Sequence, residues 1–475
     1  MKASMKKMIA MGLCAVMAVG TLTGCGGGES KESSTTGTSV TKQGADKKVF
    51  DDLGGMEIKI GDWYTTTDDK EAKTDYAKAT QKYIKEIGDK YNFTISRENI
   101  FSFTDMQTTY VNGVMANDPI CDLFYLYQEV VSEPLINGLM KDLSKLPELD
   151  FTEEKWNPTV TNLMTIGDGI WGMSNEDEPR GGIFYNKRML KEAGIDENEP
   201  YDLQAANEWT WEKFEEYCKK LTKDTDGDGK TDQYAMASFS KYYLPMCAAN
   251  NNATFIDRDE NGKYVNKIDT DEFKYAMNWG MDLINKGYVM PKPASASAWD
   301  WYKAAFRDGE VAMQTSEVYE ISAFADMEDD WGFVMFPYNQ KNENATNKSV
   351  PNDNIIVMPS CFPDDKAEKI AFAFDLYTEP TPGYTQEQAV KEKYYDKFRD
   401  DRAVDETLTM MHEEEHKQTS YVPMISDIEL GDFCYGVYAG AETPAKKIEA
   451  LSSKWNSKVD EVNTKYEKFA SEHSK

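Results

Sequence analysis

Ile183-Phe184-Tyr185-Asn186-Lys187, followed by Ala193-Gly194-Ile195 and then Trp209-Thr210-Trp211-Glu212, is the stretch whose reading decides the fold. Ile183 to Tyr185 is an aromatic and β-branched run behind Gly181-Gly182, the composition of a buried strand. Met189, Leu190 and Ala193 then make one apolar helical face, and Gly194 stands where a helix C-cap takes positive φ. Thr210 is placed to cap a second helix, with Glu212 in its first turn near the positive end of the dipole. That helix repeats Trp211, Phe214, Cys218 and Leu221 at helical spacing. Strand, helix, loop and capped helix make an α/β unit.

The order of these pieces resembles a signature of extracellular solute-binding proteins that feed ABC importers of sugars. The matching residues are Tyr185-Asn186-Lys187, Ala193-Gly194, and Thr210-Trp211-Glu212 with Phe214. Phe306, Asp308-Gly309 and Val311-Ala312-Met313 resemble a second stretch of the same family, and Gly138-Leu139 with Asp142-Leu143-Ser144 a third. The resemblance implies an α/β, two-lobe, periplasmic-binding-protein-like (type II) fold similar to maltodextrin-binding proteins, with a hinge and an interlobe cleft.

A chain of 475 residues is long enough for two or three domains. Its net charge of -30 excludes nucleic acid as a partner, because phosphate binding needs basic surface, and argues against lying flat on anionic lipid. Cysteines 14, 25, 121, 218, 247, 361 and 434 show no CxxC or metal-type clustering. Setting aside Cys14 and Cys25 leaves an odd number in the body, so buried thiols are expected rather than a disulfide framework.

Residues 1–24 read as a secretion signal, with Lys2, Lys6 and Lys7 ahead of an apolar run too short to span a bilayer. Leu22-Thr23-Gly24-Cys25 matches a bacterial lipobox, which makes Cys25 the expected lipidation site. Residues 25–49 supply a Gly/Ser/Thr/Lys leash with almost nothing to bury. Met56, Ile58 and Ile60 then alternate with Glu57 and Lys59 as a strand. A helix through Tyr76, Tyr83 and Ile87 and a strand near Phe93 to Arg97 complete a βαβ opening. With the resemblance, the expected partition is residues 50–166 and 352–400 in lobe 1, and 167–351 and 401–475 in lobe 2. Thr443 and Pro444 start a C-terminal helix whose stripe, Ile448 to Phe469, is core.

Two constellations carry metal chemistry on paper. Asp224, Asp226, Asp228, Lys230 (through its carbonyl) and Asp232 occupy the first ligand positions of an EF-hand-type loop, with Gly229 at its sixth position and Ala235 where a bidentate Glu belongs. A structural Ca²⁺ is expected there, and an ion-free Asx turn is the alternative. His412-Glu413-Glu414-Glu415-His416 satisfies H-E-x-x-H, the zinc-peptidase pattern, but its surroundings of Glu and Lys suit a solvated helix better.

A sugar presents an apolar face and a hydroxyl rim, so its pocket needs flat rings edged by short polar groups. The candidates are Trp63, Tyr64, Tyr127, Gln128, Trp171, Glu176, Arg180, Trp299, Asp300, Trp301, Tyr319, Asn352, Asp353, Phe433 and Tyr435, at positions that the resemblance turns towards the cleft. Trp299-Asp300-Trp301 is the strongest cluster, while Trp156, Trp211 and Trp455 read as packing. The reading is therefore a monomeric, lipid-anchored, extracytoplasmic receptor, not an enzyme. It closes on an oligosaccharide and presents it to an ABC permease, without organic cofactor or nucleic-acid partner. The alternatives are a secreted zinc peptidase, a lipid-anchored adhesin, or a binder of peptides or polyamines.

Overall fold

The computed structural model describes residues 47–66, 72–178, 180–351 and 354–473, all within one compact unit, Lys42–Lys475. The signal segment, Cys25, most of the leash, Asn352 and Asp353 lie outside the described residues.

Two four-stranded sheets organise the described chain. In the first, Met56–Asp62 lies parallel to both Phe93–Asn99 and Leu123–Leu126, and Ile355–Val357 adds antiparallel at the edge, Ile356 opposite Tyr125. In the second, Arg180–Asn186 runs antiparallel to both Val311–Glu317 and Trp331–Met335, and Tyr234–Ser238 adds parallel to Val311–Glu317. Every residue of Arg180–Asn186 is buried, as its apolar run requires of a central strand. Phe184 packs against Phe324, Trp331 and Phe333.

The local signals at Gly194 and Thr210 hold, and the structure adds a cap at Asn186. Asn186 caps the helix Lys187–Glu192 by accepting from the Met189 N–H, and Gly194 takes φ +73° just beyond its end. Thr210 accepts from the Lys213 N–H at the start of Trp211–Leu221, whose Trp211, Phe214, Tyr217, Cys218 and Leu221 are buried.

The segments joining the two sheets run side by side. Met173 exchanges backbone hydrogen bonds with Ile356 at 3.0 and 2.8 Å, which keeps residues up to 173 with the first sheet. Seven residues later Arg180 is bonded to Ser349: its N–H donates to Ser349 Oγ at 3.1 Å, and that hydroxyl donates to the Arg180 carbonyl at 2.6 Å. After the helix Asp364–Tyr377 of the first sheet, the chain has reached the second by Phe398, whose ring meets Trp331 and Phe333.

The C-terminal helix Pro444–His473 buries Ile448, Leu451, Trp455, Val459, Val462, Tyr466 and Phe469 along one stripe. The five described cysteines are free thiols. Among the described residues no helix is long and apolar enough to cross a membrane. Trp455 is fully buried against Phe255 and Phe433. Trp455→Ala is expected to destabilise the protein by about 3–5 kcal/mol, read as a lowered urea midpoint at unchanged slope.

Candidate functional site

The parallel strands of each sheet end on aromatic residues. Trp63 and Tyr64 follow Met56–Asp62, Phe103 follows Phe93–Asn99 in the next loop, and Tyr127 follows Leu123–Leu126 directly. In the second sheet Phe239 and Tyr242 follow Tyr234–Ser238, and Tyr319 follows Val311–Glu317. All of these, with Trp299, line one cavity of about 1470 Å³. Ligands of open α/β sheets collect at strand carboxyl ends because helix N-termini and loops converge there.

The rings form two clusters. Trp63 meets Tyr64 edge-on at 5.1 Å and Phe103 at 5.8 Å, and Phe103 meets Tyr127 at 5.5 Å. From the second sheet, Phe239 meets Tyr242 at 5.3 Å and Trp299 at 5.5 Å, and the Tyr242 and Tyr319 hydroxyls are bonded at 2.9 Å. Trp299 and Phe103 each remain 54% exposed, which leaves ring surface open at the cavity.

Ion pairs lock the polar frame between these clusters. Arg97 donates to Asp62 and to Glu176, each at 2.7 Å, to the Tyr64 hydroxyl, and stacks 3.8 Å from the Tyr125 ring centre. Arg180 donates to Glu317 at 2.7 Å and Glu178 at 2.8 Å, below the Tyr319 ring. Lys417 holds Asp177 at 2.7 Å.

Of the sequence candidates, Trp63, Tyr64, Tyr127, Gln128, Glu176, Arg180, Trp299 and Tyr319 line the cavity. The other described candidates do not. Trp171 is buried edge-on against Phe469 and His473, because the C-terminal helix that carries them covers it. Phe433 is core, and Tyr435, two positions along the same helix, points to the opposite side and is 68% exposed away from the cavity. Trp301 opens the helix Trp301–Arg307 and packs on the core, while Asp300 pairs with Lys303 at 3.4 Å. Sequence reasoning missed Phe103, Phe239 and Tyr242. Their signal is position, a few residues past a strand end.

Each metal pattern leaves one group of converging ligand atoms, Asp224, Asp226 and Asp232 in the first and Glu413, Glu415 and His416 in the second, but the second is not the paired histidines of the zinc-peptidase pattern. Ligand oxygens of Asp224, Asp226 and Asp232 lie within 4.8 Å of one another, whereas Asp228 pairs with Lys230 Nζ at 2.9 Å. The H-E-x-x-H helix is broken: Thr409–His412 ends, Glu413 is extended, and Glu414–His416 is a separate 3₁₀ turn. The His412 ring nitrogens sit 2.6 and 2.9 Å from the Leu408 and Asp177 carbonyl oxygens, and His416 Nδ1 sits 2.8 Å from that of Asn347. The two imidazoles do not share one helix face, which the zinc-peptidase reading requires.

A family model described as bacterial extracellular solute-binding protein matches residues 82–380. No curated relative matches at the sequence level. Among solved structures, the chain is similar to a cyclic alpha-maltosyl-1,6-maltose binding protein from Arthrobacter globiformis (16% identity, TM-score 0.61, covering 86% of this chain and 99% of the other). It is also similar to an ABC substrate-binding protein from Listeria monocytogenes in complex with cycloalternan (18%, TM-score 0.54, 86% and 98%). A third is the ABC transporter associated binding protein from B. animalis subsp. lactis in complex with beta-1,6-galactobiose (16%, TM-score 0.56, 86% and 98%). At these identities the likeness shows the fold, that of two-domain periplasmic-binding-protein-like chains.

Behind the second aromatic cluster sits a buried carboxylate. Glu320 accepts from the Tyr302 hydroxyl at 2.9 Å, Gln314 Nε2 at 3.2 Å and Ser316 Oγ, with Lys303 Nζ at 3.1 Å. Burial raises its pKa to about 7, against the opposing pull of Lys303. A carboxyl with a raised folded-state pKa binds more protons folded than unfolded, so its contribution to stability is present below pH 4.5 and is lost as pH rises through 7. Glu320→Gln is expected to flatten the stability–pH slope across that window, removing roughly 2–3 kcal/mol of variation, as measured by urea unfolding at stepped pH.

Proposed function

Because the chain belongs to the bacterial extracellular solute-binding protein family, an extracytoplasmic family of binding proteins rather than enzymes, we propose that it captures an oligosaccharide between two lobes and presents it to the membrane subunits of an ABC importer. The observation that carries the reading is the pair of aromatic clusters, one from each sheet, lining one cavity. A volume of about 1470 Å³ exceeds the usual range of roughly 300–1,000 Å³ for small-molecule sites, which suits an extended ligand. The saccharide ligands named for the similar structures support the same class.

The charge pattern favours a neutral ligand over peptides or polyamines. Glu176, Asp177, Glu178 and Glu317 are each held by Arg97, Lys417 or Arg180, so these acids already have cationic partners within the protein. The lobes we propose are centred on the two sheets, with crossings at residues 174–180, 349–354 and 378–394. The neighbouring pair at Arg180 and Ser349 forms the hinge, and the ligand favours the closed form by touching both lobes. A lipid on Cys25 would keep capture at the membrane surface.

A calcium ion on the Asp224, Asp226 and Asp232 cluster is a second proposal, supported by the convergence of their oxygens and by the positive φ of Gly227 and Gly229, which turns the loop around them. Calcium chloride is expected to raise the melting temperature of the mature protein by a few degrees over EDTA, and Asp224→Asn to abolish that rise. An unchanged melt in calcium removes the ion from the account.

Calorimetric titration against a panel of neutral oligosaccharides tests the cleft. Trp299→Ala and Phe103→Ala are each expected to weaken the best ligand at least tenfold with little change in unliganded melting, whereas Trp171→Phe leaves affinity unchanged. Tight binding of a polyamine, with no response to any saccharide, would reverse the assignment.

A further inference from the structure

The buried carboxylate behind the second aromatic cluster reaches the cavity by two routes. Glu320 lies in the 3₁₀ turn Val318–Phe324, its side chain fully buried, and neither it nor Lys303 lines the cavity. One route is Lys303, whose ammonium is 3.1 Å from Glu320 Oε1, 5.2 Å from the centre of the Trp299 ring and 5.8 Å from that of Tyr319. The other runs through hydroxyls. Tyr319 donates to Glu320 Oε1 at 3.4 Å, and its oxygen is bonded to the Tyr242 hydroxyl at 2.9 Å. Trp299, Tyr319 and Tyr242 all line the cavity.

The neighbours bonded to Glu320 are donors. Oε1 takes the Tyr302 hydroxyl and Lys303, and Oε2 takes Gln314 Nε2 and the Ser316 hydroxyl. Such a set suits the ionised carboxylate, whose oxygens only accept. Burial opposes it, as does Glu317 at the end of the adjoining strand, itself held by Arg180 at 2.7 Å. The titratable and charged groups around Glu320 are thus Tyr302 and Lys303 from the helix Trp301–Arg307, Glu317 from the strand, Tyr319 from its own turn, and Tyr242 beyond. With its pKa at about 7, both forms of the carboxyl are populated near neutral pH. Lys303 has a second acid within reach. Asp300, next to Trp299 in the chain and more exposed, lies 3.4 Å from its ammonium. Protonating Glu320 leaves the more distant Asp300 as the charged partner.

Resting on the oligosaccharide reading above, we propose that Glu320 and Lys303 are positioning residues of the cavity. Ionised Glu320 holds Lys303 against Trp299 and Tyr319 and orients the Tyr319–Tyr242 hydroxyl pair. Its neutral form releases Lys303 to Asp300 and loosens the rings on which a sugar stacks. Capture is therefore proton-linked, strong above neutral pH and weaker as pH falls through it. The sign is opposite to this carboxyl's contribution to stability, which is greatest at low pH, so loss of that contribution does not produce weaker binding in acid.

The indole N–H resonance of Trp299, identified by its loss in Trp299→Phe, reports on the pair without any ligand. In the ¹⁵N-indole-labelled mature protein it is expected to shift in one step centred near pH 7, and the step is expected to vanish in Glu320→Gln and in Lys303→Met. Maltotriose, cellotriose, mannotriose and galactobiose are then titrated at about pH 5.5 and about pH 8. The tightest of them is expected to bind about fivefold or more weakly at the lower pH. Lys303→Met and Glu320→Gln are expected to bind it at the weaker level at both, and Lys303→Arg to restore the difference. A Trp299 resonance that does not titrate, or that still titrates in Glu320→Gln, overturns the proposal, as does equal affinity at the two pH values. Should Glu320→Gln fail to fold, Lys303→Met, at a partly exposed position, decides by the same readings. A Trp299 step that both variants abolish, with all four sugars silent, upholds the hold on the ring and removes the oligosaccharide reading instead.

Discussion

Arg180 is the constraint around which the described body is arranged. It opens the central strand of the second sheet, and its guanidinium is buried between Glu317 and Glu178. A buried ion is tolerated only where its partners fully satisfy it, and removing one partner from such a set typically costs 3–5 kcal/mol. Glu317 ends the neighbouring strand, so this pairing helps hold the register of the two strands where a bulge interrupts it. The backbone of Arg180 is in turn tied to Ser349 on the returning segment. The next residue, Gly181, has φ +84°, and a Cβ there would meet the Met246 sulfur. Charge, backbone and space therefore fix the same two segments to one another at this point.

From that point the aromatic clusters follow by topology. Parallel strands in one sheet deliver their ends to the same edge, so whatever residues follow them are gathered without any further device. In the first sheet those residues are Trp63, Phe103 and Tyr127, and in the second Phe239, Tyr242 and Tyr319. Trp299 joins the latter from the loop before Trp301–Arg307, and Lys303 in that helix lies 5.2 Å from the Trp299 ring and 5.8 Å from that of Tyr319 while reaching the buried Glu320. The exposed rings are thus supported from behind by a charged pair in the interior.

Much of this was legible in the sequence because it rests on local rules. The cap at Thr210, the positive φ at Gly194, the strand at Ile183 and the stripe from Ile448 to Phe469 each depend on neighbours within a few positions. The site residues divide by a different criterion. Trp171 and Trp299 are the same residue type in similarly loop-rich stretches, yet one lies under the C-terminal helix and the other faces the cavity. Nothing local separates them, since what covers Trp171 arrives almost three hundred residues later. Phe433 and Tyr435 fail for a simpler reason: two residues along a helix turn a side chain by about 200°, so both cannot face one cleft.

The broken H-E-x-x-H segment makes the same point about function. The pattern supports zinc only when the four-residue spacing brings both imidazoles to one helix face. Here Glu413 leaves the helix with ψ 134°, and the ring nitrogens contact the carbonyls of Leu408, Asp177 and Asn347. Asp177 lies on the first crossing and Asn347 just before the second, while Ser349 pairs in parallel with Lys417. The segment that looks catalytic on paper therefore works as a clasp across the two crossings. Its histidines tie a third piece of chain to the place where Arg180 is already fixed, a structural use for two of the chain's three histidines.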